Sequence, residues 1–230
     1  ATIGDHASTQ KIIELSQEID PDTRPDLWED IQGTLSAIGD KPALLSLLDA
    51  GEERLKMLGA QILGRIGGDE EARAISARIP VSQGYVKRAY VEALYTIGSP
   101  ESRETFKSLI HDKDGHVACY AIRAVGSMGN PDDIDDLKIL LAHPYTDVRD
   151  VTLEAIARIG SAKAQGAFLS LLHHADPQMR IMGLMGLARL NAPMLADSVL
   201  KLLDDGTVEV RLRAIQTAKD AGLPLSLDKL

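Results

Sequence analysis

Imidazoles next to carboxylates are the side chains of this chain best suited to chemistry. His111 and His173 occupy one matched place in a recurring pattern, and His143 and His174 occupy the place after it. His116 lies close by, with Asp112, Asp114, Asp147 and Asp176 near in sequence. Neutral imidazole and carboxylate together are a ligand set for zinc and other first-row metals. Such an edge would make the protein a metal-dependent enzyme. Against this stands the spacing, because no tight ligand motif such as HExxH occurs. The turns that follow helices also favour histidine for electrostatic reasons alone. His111, His143, His173 and His174 are therefore the candidates for a metal edge, and the expectation is that neither metal nor cofactor is held.

His116 and Cys119 lie three apart and can share one helix face. A thiolate nucleophile needs such a partner. No third orienting group accompanies them, and a lone cysteine in an apolar helix reads as a small core residue. The run Asp132, Asp133, Asp135 and Asp136 reads as a solvated first turn rather than a cation site. The 230 residues carry 34 acidic against 25 basic side chains, a formal net charge of −9, which weighs against nucleic acid as a partner. One cysteine allows no intrachain disulfide, which fits a reducing, cytoplasmic setting. No apolar run approaches the roughly 20 residues of a membrane span, and the first residues lack a signal-peptide profile.

The elements that position these residues repeat. Seven times an apolar residue is followed at once by a turn residue: Ile38-Gly39, Ile66-Gly67, Ile97-Gly98, Met128-Gly129, Ile159-Gly160, Leu190-Asn191 and Ala221-Gly222. The first spacing is 28 residues and the next five are all 31. A fixed period in this range marks a stacked repeat array. Eleven places before each closing residue stand Leu27, Leu55, Val86, Val117, Val148, Met179 and Val210. From each, offsets 0, +3, +4, +7, +8 and +11 form one apolar helix face. Small residues recur on it at +4 and +7, as at Gly59, Ala121, Ala124, Gly183 and Gly186. Glycine just past a helix accepts the left-handed conformation that ends it. Ser99-Pro100 and Asn130-Pro131 then read as an N-cap and first position of a second helix. Aromatics are only 3% of the chain, so aliphatic residues must build the core between these hairpins.

Two columns point outward. Lys56, Lys87, Arg149, Arg180 and Arg211 sit at +1, and Arg65, Arg158 and Arg189 at +10. They read either as hydrogen-bonding ties and a solvated face, or as a basic ridge for an acidic partner; the acidic whole favours the first. Offsets +2, +5, +6 and +9 face away from the main stripe, yet carry Ile181, Leu184, Met185, Leu212 and Ile215. An apolar band there would mark a partner site, and methionine suits adaptable surfaces. The +5 column, with Ile122 and Leu153, is apolar in every repeat from the second on and reads as buried between adjacent helices. Ile181, Met185 and Leu212 together remain the candidate contact surface.

DVRDVTLEAIARIG, QMRIMGLMGLARLN, EVRLRAIQTAKDAG and YVKRAYVEALYTIG follow the pattern D-x-x-V-R-x-x-A-x-x-A-L-x-x-I-G. This pattern resembles the short HEAT-like repeats of the phycobilisome (PBS) lyase type. The resemblance covers nearly the whole chain and implies an all-α, right-handed α-solenoid of about seven helical hairpins. It also implies that Asp147, Arg149, Arg180 and Arg211 are structural repeat residues, beside the turn glycines Gly98, Gly129 and Gly160. Ala118 stands where arginine is usual, so no continuous basic ladder forms. Deoxyhypusine hydroxylases, a HEAT-like metalloenzyme family, use His-Glu pairs, and this chain has no His-Glu dipeptide.

The expected organisation is one array over 1–230. It has a capping helix within 1–23 (TQKIIELSQEI) and repeats starting near 24, 52, 83, 114, 145, 176 and 207. The ends lack half a hairpin each, with LPLSLDKL following the last helix. The chain is either a fragment of a longer array or an array with atypical caps, and an unpaired end helix would favour a homodimer. The expected function is a non-enzymatic scaffold or adaptor that binds a protein partner along the solenoid. The alternatives are a bilin lyase-like chromophore-handling protein, implied by the resemblance alone, and a metal-dependent enzyme at the histidine edge.

Overall fold

The computed structural model describes residues 6–223. Among them are fourteen α-helices and no strand. The chain divides into two compact units, Ala1–Leu109 and Ile110–Leu230. In the first lie α1 (His6–Glu18), α2 (Pro25–Ile38), α3 (Lys41–Leu47), α4 (Glu53–Ile66), α5 (Asp69–Arg78), α6 (Gly84–Ile97) and α7 (Arg103–Leu109). In the second lie α8 (Gly115–Met128), α9 (Ile134–Leu140), α10 (Thr146–Ile159), α11 (Ala162–Leu171), α12 (Pro177–Arg189), α13 (Leu195–Leu202) and α14 (Val208–Asp220). Each unit is a stack of helical hairpins of the α-solenoid class. The capping helix read within 1–23 is α1; the expectations for residues 1–5 and for the tail from 224 on lie outside the described residues.

Helix ends follow from local chemistry. Gly39, Gly98, Gly129, Gly160 and Gly222 take φ between 63° and 71°, and Asn191 takes 47°, so six of the seven stop signals are left-handed. Gly67 differs, ending α4 in extended backbone at φ −75°. A Cβ there would lie 2.4 Å from the Leu63 carbonyl oxygen, so glycine is needed for space rather than for a left-handed φ. The proline entries also differ from expectation. Ser99 and Asn130 do cap, accepting from the amides of Glu101 and Asp132 at 3.3 and 2.9 Å. The turn that follows is a 3₁₀ segment, Pro100–Ser102 and Pro131–Asp133, and the α-helix proper starts three residues on.

Packing uses the small residues at two different seams. A Cβ on Gly59 would meet Leu47 Cβ at 2.7 Å, and one on Gly183 the Phe168 carbonyl at 2.7 Å. These +4 glycines press a first helix onto the second helix of the preceding repeat. Gly64 and Gly126, at the +9 place read as facing outward, are instead buried against Ala93 and Ala155. They bring α4 onto α6 and α8 onto α10. The +5 column lies in the same seam: Ala60, Val91, Ile122, Leu153 and Leu184 are all fully buried. Full burial of a leucine or isoleucine contributes roughly 1.5–3 kcal/mol each.

Candidate functional site

The histidines prove to be turn acceptors. Nδ1 of His143 accepts the backbone N–H of Tyr145 at 3.2 Å, and Nδ1 of His174 that of Asp176 at 3.0 Å. Carboxylates do the same one repeat away on either side, Asp112 for the amide of Asp114 at 2.9 Å and Asp205 for that of Thr207 at 2.9 Å. His111 and His173 lie exposed beside this column. Among the described residues no group of three His, Cys, Asp or Glu side chains is placed to share a metal ion.

The arginines of the +1 column close the same turns. Nη1 of Arg149, Arg180 and Arg211 donates to the carbonyl six residues back, on His143, His174 and Asp205, at 2.7, 2.8 and 2.7 Å. Arg180 also ties two repeats together, with Nε and Nη2 each 2.8 Å from the Asp205 carboxylate. This fork holds the Asp205 carboxyl below the usual carboxylate range, with help from the Thr207 amide. Arg149 has no such forward tie, because the equivalent residue is His174. Asp147 is exposed. Arg65, Arg158 and Arg189 reach back to Gln32, Ser127 and Glu154.

The apolar band divides once burial is seen. Leu184 is fully buried and Ile181 only 8% exposed, so neither belongs to an open band. Leu184 packs in the +5 seam, as the column does from Ala60 on, with Ile215 of the last helix the exception. Met185 and Ile215 are half-buried, and Leu212 is 59% exposed. Ile181 and Met185 nevertheless meet at a cleft of about 540 Å³, bounded by α10, α12, the turns before them and Arg213 of α14. Met179 and Met182 complete its apolar floor. Its rim carries two charges, Arg213 and Asp150, with no hydrogen bond or ion pair to other described residues. Met185 and Arg213 also line a smaller adjoining cleft of about 280 Å³ with Ala188 and Thr217. Sequence reasoning placed Met179 and Met182 in the core stripe, where both are indeed buried, and passed over Arg213. The signal was the spacing of Met179, Met182 and Met185, which puts three thioethers within one third of the helix circumference.

The cleft exists because α12 packs chiefly on α11 and less on α10, whereas α8 and α10 run in close contact. Gly186 makes this possible: a Cβ there would lie 2.3 Å from the Phe168 ring.

Cys119 and His116 line a separate cleft of about 400 Å³ with Tyr145 and Asp147. Burial pushes the Cys119 thiol up, Arg123 pulls it down, and Asp147 pushes it up again, with a net rise. That opposes the thiolate a nucleophile requires.

The fold is of the α-solenoid class. Residues 81–157 match the family model described as HEAT repeats. Among solved structures, the chain is similar to the complex of CpcE and CpcF of phycocyanin lyase from Nostoc sp. PCC7120. The identity is 16%, over 77% of this chain and 75% of that one, with a TM-score of 0.53. It is also similar to YibA of Escherichia coli, at 19% identity over 83% of this chain and 73% of that one, with a TM-score of 0.50. Human deoxyhypusine hydroxylase aligns over 95% of this chain and 98% of that one at 17% identity, but with a TM-score of only 0.42. The first two likenesses describe a shared fold. No curated protein matches the chain. No helix among the described residues is long and apolar enough to cross a membrane.

Proposed function

We propose that the chain is a non-enzymatic interaction scaffold and that the methionine-floored cleft between α10 and α12 receives a protein partner. The cleft carries this reading. Its floor offers Met179, Met182 and Met185, which adapt to an inserted apolar side chain. Its rim offers Arg213 and Asp150, one charge of each sign. A protein surface supplies both signs beside apolar residues, whereas a nucleic acid would call for cations alone. Leu212, the neighbour of Arg213 in the chain, is exposed on the same helix. The test compares wild type with Met185→Asp/Arg213→Glu in affinity capture from native lysate, after circular dichroism shows both folded. Loss of a captured protein in the variant supports the cleft. Equal capture moves the site elsewhere, and turnover of a small molecule with no captured protein removes the scaffold reading.

A second reading, chromophore handling of the bilin lyase type, draws on the likeness in fold to the CpcE and CpcF complex. A bilin absorbance change on mixing, followed by transfer to or from a phycobiliprotein, is its expected result; an unchanged spectrum with both removes it.

A further inference from the structure

Four turns leading into the first helices of the second unit share one device. Asp112, His143, His174 and Asp205 lie 31 residues apart, and each side chain accepts the backbone N–H two residues on. A carboxylate and a neutral imidazole fill this place equally well, but they part company in acid. A protonated carboxyl group keeps an acceptor oxygen, while an imidazolium presents two donors and none. On protonation, the N–H of Tyr145 and that of Asp176 would each face another N–H.

We propose that His143 and His174 make the turns before α10 and α12 sensitive to protonation, while the turns at Asp112 and Asp205 stay closed. The surrounding charges do not counter this. The cleft wall at His143 holds Arg149, Asp150, Asp176 and Arg213, and the Tyr145 ring centroid lies 5.3 Å from its own. Around His174 stand His173, Asp176, and Arg180 with its partner Asp205. Charges of both signs stand at both places, and Arg149 and Arg180 are anchored to the carbonyls of the same two histidines at 2.7 and 2.8 Å. The inference stands apart from what the cleft binds.

The test replaces both histidines by the residue that the other two turns use, H143D/H174D. Thermal midpoints of wild type and variant are compared at about pH 7.5 and about pH 5, a range in which histidine changes charge and aspartate does not. The wild-type midpoint is expected to fall further than the variant's by about 2–4 °C per turn. The other histidines are common to both proteins and cancel. Equal falls overturn the proposal. Nitrogen-15 spectra of wild-type histidines, which need no variant, are expected to show His143 and His174 near pH 7.5 with the proton on Nε2 and Nδ1 bare. A proton on Nδ1 in either ring overturns it as well.

Discussion

Leu184 and Leu212 are the same side chain at different depths, and the difference is one of neighbours. Leu184 is sealed in the seam between first helices, and Leu212 stands open on α14. Leu184→Ala is therefore expected to cost about 2–5 kcal/mol in urea unfolding, and Leu212→Ala no more than about 0.5 kcal/mol. Similar costs for the two would show that they are buried alike. At this scale the sequence was only partly legible. The helical face carrying Leu94, Val125 and Ile156 follows from a period of 3.6. Whether an outward residue is sealed or open depends on how far apart neighbouring helices lie, and no local pattern encodes that. Hence Ile181 looked like surface. The bonds of the histidines were not legible for another reason: a ring nitrogen accepting from a local amide leaves no trace in composition, although Asp at the matched places 112 and 205 was a hint.

At the scale of the element, glycine inside helices separates two jobs. Gly166 in α11 is exposed, and a Cβ there would touch nothing within 4 Å. Gly186 in α12 has the Phe168 ring where its Cβ would be. Gly166→Ala is expected to stabilise by about 0.5–1 kcal/mol through helix propensity. Gly186→Ala gains the same propensity but overpacks the seam, for a net loss of up to about 2 kcal/mol. A Phe168→Leu change in the same chain should recover part of that loss. Thermal melts of the three proteins decide it, and a stabilising Gly186→Ala would mean α12 is free to move off α11. The hairpins themselves were legible, because cap residues and left-handed stops repeat with the period. The 3₁₀ entries at Pro100 and Pro131 were not, since a serine or asparagine bonding two residues on tightens the turn in a way the dipeptide alone does not announce.

For the molecule as a whole, carboxylates held low by their partners set the response to acid. Burial pushes the Glu71 carboxyl up, but the Gly68 amide and Lys41 more than offset this and leave it low. Arg180 leaves Asp205 low. A carboxylate lowered in the fold adds stability above its unfolded pKa, about 4, and loses it as pH falls. Asp205→Asn is expected to lower stability at neutral pH by about 1–3 kcal/mol and to flatten the decline below about pH 5. A decline as steep as in wild type would show that the Arg180 fork contributes nothing in solution.

The glycine at 186 has one more consequence. It lines neither cleft, yet by letting that helix settle onto Phe168 it decides how wide the methionine cleft stands. The aperture is thus adjusted by residues outside its own lining. Descendants of this chain could retune what they grip by trading a single methyl group or ring at 186 and 168, with every side chain that does the gripping left as it was.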